Sequence, residues 1–329
     1  MRILFSADHH IKLKAKNVPV DWQINRFILL GERLSSIFVD KKCDLHIIGG
    51  DLLDVATPSS AEVGLMHHFL KLLDHTGLIY SGNHEALNKK ESCLYNLAEV
   101  IHESTGSNWS VVRSPYRSKE FDIIDFIELH KKEWVPAQSE LCFTHVRGTI
   151  EPHVSPEIDL MRFVEHGYAR VIAGDLHSVS NTQLIMDGVG LMYPGSPMTT
   201  SFHRERPTYT NGCYIIDTDT KEVEWVDLGD LPQLIRKTVK SKDEMVKTEY
   251  DHTIYEIEGD ILDLKGLNVD SELFDKKINN NITSEAKLNL EGLSITEEAA
   301  LYLEKIQNLD SDKISRVVGR IQKYVKDSN

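Results

Sequence analysis

Residues 170–179, RVIAGDLHSV, contain the apolar run Val171-Ile172-Ala173, short enough to be a buried strand. The run ends at Gly174 and is followed by Asp175 and His177, where the chain leaves the core. Both groups bind metals or move protons, and on an extended backbone residues two apart point the same way. An ordinary polar turn would look similar in isolation, so the reading depends on what the other strands carry at their ends.

They carry the same chemistry. RILFSA (2–7) is followed by Asp8 and His10, and LHIIG (45–49) by Asp51 and Asp54. GLIYS (77–81) is followed by Asn83, His84 and Glu85, and ELCFT (140–144) by His145. Helical patterns lie between several of these runs, at roughly 21–40, 59–75 and 89–103. Later segments, TQLIMDG, GCYIIDT and VEWVDL, have no helix between them and read as antiparallel strands. The pattern predicts an α/β fold, a layered β-sheet core flanked by helices. In such sheets ligands bind beyond the carboxyl ends of the strands, so these loops should meet in one crevice. One D-x-H or G-N-H alone is an ordinary turn, Gly and Asn supplying positive φ. All of them together, in strand-end positions, predict a site. Carboxylates, imidazoles and one amide, with no thiol, form a hard-to-borderline donor set suited to Mn, Fe or Zn.

Composition narrows the setting. The 329 residues suffice for one large α/β domain and a smaller appendage. Apolar content of 41% and charged content of 27% are those of a soluble globular chain. No apolar run approaches the ~20 residues that span a bilayer, and MRILFSADHH reaches charge too soon for a signal peptide. The cytoplasm is therefore the expected location, with no membrane partner. Cys43, Cys93, Cys142 and Cys213 lie far apart without a CxxC pair, which suits reduced thiols. A formal charge of −14 argues against coating nucleic acid by bulk electrostatics. It leaves nucleases in contention, because carboxylates that hold cations also make a chain acidic.

The pattern changes around DLGDLPQLIRK, so the expected divisions are a main domain at 1–228, a small capping domain at 229–293 and a helical pair at 294–329. Ser294 and Glu297 form a capping-box signature. Lys313, Arg316, Arg320, Lys323 and Lys326 then recur at helical spacing beside an apolar stripe of Ile314, Val317, Val318, Ile321, Tyr324 and Val325. His9, His46, His67, His68, His75 and the four tryptophans read as packing. Lys12, Lys14 and Lys16 read either as solvated charge or as a rim that touches DNA phosphate.

The series D-x-H, G-D-x-x-D, G-N-H-E, a lone His and G-x-x-H resembles the calcineurin-like metallophosphoesterase superfamily. Within it, GDLLDVATPSS and YPGSPMTTSF (193–202) resemble the SbcD family, nuclease subunits of SbcCD recombination and repair complexes, with relatives in large tailed phages. The motifs run from residue 1 to about 205; the rest matches by position and character. The resemblance implies a DNA exonuclease or endonuclease with two divalent cations, manganese foremost and magnesium admitted. One cation would be held by Asp8, His10 and His177, the other by Asn83, His145 and Asp175, with Asp51 bridging. His84 would protonate the leaving sugar oxygen, Glu85 would orient its ring, and Asp54 would support the loop or a neighbouring imidazole. Asp175 departs from the family pattern, which has histidine there; the competing reading is a turn cap. The resemblance also implies that residues 294–327 dock an SbcC-type coiled-coil ATPase, and it is compatible with a homodimer. Two other functions compete: a small-molecule or protein phosphoesterase on the same fold, and a non-catalytic scaffold, against which the intact His84 argues.

Overall fold

In the strand Arg2–Ser6, Ile3 and Phe5 belong to one buried cluster and Leu4 to another. The strand Leu45–Gly49 divides its residues the same way, Ile47 on one side and Ile48 on the other. Side chains alternate across a strand, so apolar residues on both faces mean that both faces are covered. The computed structural model shows what covers them. It describes residues 1–152, 154–186, 188–204, 210–239, 241–259, 274–278, 288, 290 and 292–326. Much of the expected capping region and residue 327 of the expected docking pair lie outside these. The chain divides into two units, Met1–Ile257 with Leu267–Lys276, and Glu258–Gly266 with Lys277–Asn329.

The first unit is built on two six-stranded sheets. One runs in the order Val223–Asp227, Gly212–Asp217, Arg2–Ser6, Leu45–Gly49, Gly77–Tyr80, Trp109–Val111. Its last four strands are parallel and its first two antiparallel. The other runs Gln183–Leu184, Gly190–Met192, Arg170–Gly174, Leu141–His145, Asp122–Ile124, Tyr116–Arg117, parallel at its centre and antiparallel at both edges. Between the sheets, Ile3, Phe5, Ile47 and Tyr80 of the first pack with Ile123, Phe143 and Ile172 of the second. The Phe5 and Phe143 rings stack with centroids 5.3 Å apart, and the Tyr80 hydroxyl donates to the Thr144 carbonyl at 2.7 Å.

Helices Val20–Asp40, Ser60–Leu72 and Cys93–Ser104 cover the outer face of the first sheet with Phe27, Leu30, Leu34, Met66, Phe69 and Leu94. Short helices Phe126–Leu129 and Met161–Glu165, with Trp134, cover the second. This layered α/β arrangement is the expected fold, with two sheets rather than one at its centre. The helix expected at 89–103 begins only at Cys93. Ahead of it Ala86–Asn88 pairs with Glu91–Ser92 as a hairpin, and the Ser92 hydroxyl caps the helix by accepting from the Leu94 N–H. The small strands at 109–111, 116–117 and 122–124 are too brief to show a period in the sequence. A further small sheet pairs Leu234–Val239 in parallel with His203–Arg204 and His252–Gly259.

In the second unit, helices Ile295–Lys305 and Ser311–Lys326 form a pair. Its capping box is made in both directions: Ser294 Oγ accepts from the Glu297 N–H, and Glu297 accepts from the Ser294 N–H at 2.7 Å. No residue of the first of these helices is buried. Among the described residues no helix is long and apolar enough to cross a membrane, and all four cysteines are free and buried.

Trp109 anchors the edge of the first sheet. It is fully buried, its indole N–H donates to the Leu73 carbonyl at 3.0 Å, and its ring occupies the space a side chain at Gly77 would need. Trp109→Ala should lower the unfolding free energy by about 3–5 kcal/mol in urea titration; a loss below about 1 kcal/mol would show that the edge collapses to fill the void.

Candidate active site

The loops after strands Arg2–Ser6 and Leu45–Gly49 are zipped together by backbone bonds. Asp8 N–H donates to the Gly50 carbonyl at 3.1 Å, His10 N–H to that of Asp51 at 2.9 Å, and Ile11 N–H to that of Leu52 at 2.9 Å. This pairing holds Asp8, His10 and Asp51 at φ of 59°, 51° and 51°, in the left-handed region that non-glycine residues avoid. Such strain persists where surrounding structure over-determines the backbone, and it clusters at functional sites. Two glycines allow the close approach. A Cβ on Gly50 would lie 2.5 Å from His145 Nδ1, and one on Gly82 would lie 2.2 Å from Asp51 Oδ1.

Into this space come two buried carboxylates, each 1% exposed, Asp8 and Asp51. Four imidazoles surround them with Nε2 inward. His145 Nε2 lies 3.3 Å from Asp51 and 4.0 Å from Asp8, His10 Nε2 3.7 Å from Asp51, His177 Nε2 3.9 Å from Asp8, and His84 Nε2 4.0 Å from Asp51. His10 and His177 bring their Nε2 atoms within 3.1 Å of each other, and Asn83 Oδ1 is 2.9 Å from His145 Nε2. Three of the rings are hydrogen-bonded from behind at Nδ1: His145 to the Gly49 carbonyl at 2.9 Å, His84 to the Asp54 carbonyl at 2.7 Å and His177 to the Thr200 hydroxyl at 3.0 Å, while His10 Nδ1 has the Asp54 carboxylate 3.2 Å away as an ion-pair neighbour. Imidazoles that bind metal are held in this way, the outer nitrogen fixing tautomer and ring direction.

Burial raises the Asp8 carboxyl to about 6. Burial acts on Asp51 too, but attraction from His145, His10 and His84 outweighs it and holds this carboxyl well below the usual range. Burial alone would depress His145, yet Asp51 and Asp8 carry it well above the ordinary imidazole value. Among the described residues neither carboxylate pairs with a lysine or arginine. Buried carboxylates need a cation, and the side chains that could coordinate one lie within 4.8 Å of one another in three overlapping groups: Asp8–His10–His177, His10–Asp51–His84 and Asp8–Asp51–His145. The donor set fits a divalent metal.

Three residues sit differently from the sequence reading. Glu85 does not orient the His84 ring, which the Asp54 carbonyl holds. Its fully buried carboxylate accepts the N–H groups of Asp51 at 3.0 Å, Leu53 at 2.9 Å and Gly82 at 2.8 Å, tying two site loops together. Asp175 belongs to none of the converging groups. Its φ is 98°, and both its oxygens are taken by Arg147, Nε and Nη2 each at 3.0 Å. Its N–H, rather than its carboxylate, serves the centre, donating to Asp8 at 2.9 Å. Lys12 is occupied by Asp54 at 2.5 Å instead of standing free at the rim. Sequence reasoning missed Arg147 and Thr200, which carry no spacing signal, and Arg26, buried in the first helix, whose guanidinium donates to the Thr199 carbonyl beside Thr200.

No family model matches the chain. The probable exonuclease subunit 1 of Escherichia phage T5 is 56% identical to it over 329 residues, covering the whole of both chains. The chain belongs to the family of this phage exonuclease subunit. Several solved structures resemble it more distantly. TT1561 of Thermus thermophilus is 10% identical, covering 69% of this chain and 98% of that one, with a TM-score of 0.44. The nuclease MPE of Pseudomonas putida is 18% identical, covering 65% and 84%, with a TM-score of 0.33. The E. coli phosphoesterase Yfce is 12% identical, covering 70% and 100%, with a TM-score of 0.32.

The role of Glu85 in this chain can be tested apart from chemistry. Glu85→Ala strips the acceptor from three buried N–H groups, each worth about 1–3 kcal/mol when left unsatisfied. The variant should lose at least about 3 kcal/mol of stability in urea titration. Wild-type stability would show that water replaces the carboxylate.

Proposed function

We propose that the chain is the nuclease subunit of an SbcCD-type complex, hydrolysing DNA phosphodiesters with two divalent cations, manganese foremost. The observation that carries this reading is the inward set of braced imidazoles around Asp8 and Asp51. Asp8, His10 and His177 would hold one cation, Asn83 and His145 the other, and Asp51 both, since a carboxylate can offer an oxygen to each. Bound cations at such a centre supply an activated water and offset charge on the phosphate.

The remaining work falls to the chain's own groups. His84 Nδ1–H donates to the Asp54 carbonyl, so Nε2 faces the substrate. It is the imidazolium form of the ring that would pass its Nε2 proton to the leaving sugar oxygen and be left as the neutral Nδ1–H imidazole. The His84 side chain is 40% exposed, open to substrate, while the main-chain N–H of His84 donates to Asp51 Oδ1 at 2.9 Å. The proton donor is thereby indexed to the same carboxylate as the cations.

The phage T5 relative is named as one subunit of an exonuclease, and we carry both exonuclease action and a second subunit over to this chain. The helical pair supports a docking role. Ile295, Tyr302 and Val317 are exposed, and Lys313, Arg316 and Arg320 recur on the second helix at helical spacing. An acidic coiled coil offers an apolar seam and complementary charge to such a surface.

Asp51→Asn should abolish cleavage of end-labelled duplex DNA and lower manganese uptake, whereas His84→Gln should keep its metal and lose roughly 10²–10⁴-fold in rate. Metal lost together with rate in His84→Gln would make that residue a ligand. Deleting residues 294–329 should leave hydrolysis of a DNA oligomer intact and abolish co-purification with a coiled-coil ATPase; undiminished co-purification would remove the docking role. Cleavage of a small diester but not of DNA by the intact chain would favour the small-molecule phosphoesterase.

A further inference from the structure

The Arg147–Asp175 pair stands at the edge of the centre without belonging to it. Arg147 lies two residues past His145, and Asp175 lies two before His177. The Asp175 side chain is 4% exposed and that of Arg147 is 43% exposed. A carboxylate so deeply buried requires a cation, and the two parallel bonds from Nε and Nη2 supply it with fixed geometry. A guanidinium has five N–H donors. Two are used on Asp175; for the three others, both on Nη1 and one on Nη2, no acceptor is found among the described residues. The Arg147 main chain is pinned separately, its N–H donating to Glu157 Oε1 at 2.8 Å.

We propose that Arg147 is a phosphate-binding residue of the active site, held in place by Asp175 acting as a positioning residue and not as a metal ligand. The ligand class is a phosphodiester: the free edge of the guanidinium takes non-bridging oxygens of the substrate phosphate, or of its neighbour in the strand, as it meets the cluster of Asp8, Asp51 and His145. Planar, two-pronged recognition of phosphate is what a guanidinium does and an ammonium does not. Asp175 sets the fork's orientation, and its N–H bond to Asp8 ties that orientation to the carboxylate at the centre. The inference rests on the phosphodiesterase reading above and adds to it the group that grips the substrate.

The test compares Arg147→Ala, Arg147→Lys, Asp175→Ala and the Arg147→Ala/Asp175→Ala double variant. The double variant matters because Arg147→Ala alone leaves a buried unpaired carboxylate; thermal unfolding identifies any variant that fails to fold. Manganese binding is measured by calorimetry, and kcat and KM are measured on both a DNA oligomer and bis(p-nitrophenyl) phosphate. Arg147→Ala and Asp175→Ala should each lower kcat/KM roughly 10- to 100-fold, the double variant should be no worse than Arg147→Ala, and Arg147→Lys should recover only part of the loss. All should bind manganese with wild-type stoichiometry and affinity. Loss of an ion in Asp175→Ala but not in Arg147→Ala would make Asp175 a ligand and overturn the proposal, as would unchanged kcat/KM in both Arg147→Ala and the double variant. A wild-type chain that cleaves the small diester but not DNA would refute the nuclease reading, and the same four variants would still decide the role of Arg147 on the small diester.

Discussion

His145 joins the two halves of the first unit. It ends a strand of the second sheet, yet its Nδ1 is bonded to the Gly49 carbonyl at the end of a strand in the first, 2.9 Å away. Its Nε2 reaches Asn83 and Asp51, which also belong to first-sheet loops. The ring is fully buried, so each of these polar contacts must be made for the sheets to close at this end. Beneath it the sheets are held together by the apolar layer of Phe5, Tyr80, Phe143 and Ile172. A side chain at Gly50 or Gly174 would meet His145 Nδ1, at 2.5 and 2.7 Å.

Around that contact the chain concentrates costs that a merely structural loop would avoid. Asp8, His10, Asp51 and Asp175 all hold positive φ, and buried carboxylates face one another without a lysine or arginine at Asp8 or Asp51 among the described residues. The loops tolerate this because Glu85 collects three backbone N–H groups from both sides of the Asp51 turn and the 8–11 segment is laid in register along 50–52. Rigid backbone then fixes donors that are individually mobile. A cation arriving there meets ligands already oriented, so little ordering remains to oppose binding.

Charge is handled differently a few residues away. Asp175 lies close enough to the centre for its N–H to serve Asp8, but its own carboxylate is neutralised by Arg147. Asp175 is thus neutralised locally by a guanidinium, whereas Asp8 and Asp51 have only imidazoles around them among the described residues. Away from the centre, Ser6, His9, His46 and His75 form a chain of ring and hydroxyl contacts at 2.9–3.1 Å. Burial keeps His46 well below the ordinary imidazole value and brings His75 to about 4, so these rings act as neutral packing groups.

The strand-and-helix order and the convergence of Asp8, His10, Asp51, Asn83, His84, His145 and His177 were legible in the sequence, because both rest on local rules. Short continuous apolar runs mark strands buried on both faces, and strand ends in an α/β sheet share one side of the molecule. The same locality supplied the Ser294–Glu297 cap. What a polar side chain does with its partner is not local. Glu85 follows His84 directly, yet its carboxylate serves backbone 32 to 34 residues earlier as well as nearby Gly82, and the His84 ring turns to a carbonyl at residue 54. Arg147 and Asp175 are 28 residues apart, in the loops that follow two adjacent strands, and Thr200 reaches back 23 residues to His177. No spacing in one chain specifies such pairs. They follow from how two sheets, each legible from its own apolar runs, come to lie against each other, and that packing is a property of the folded layers alone.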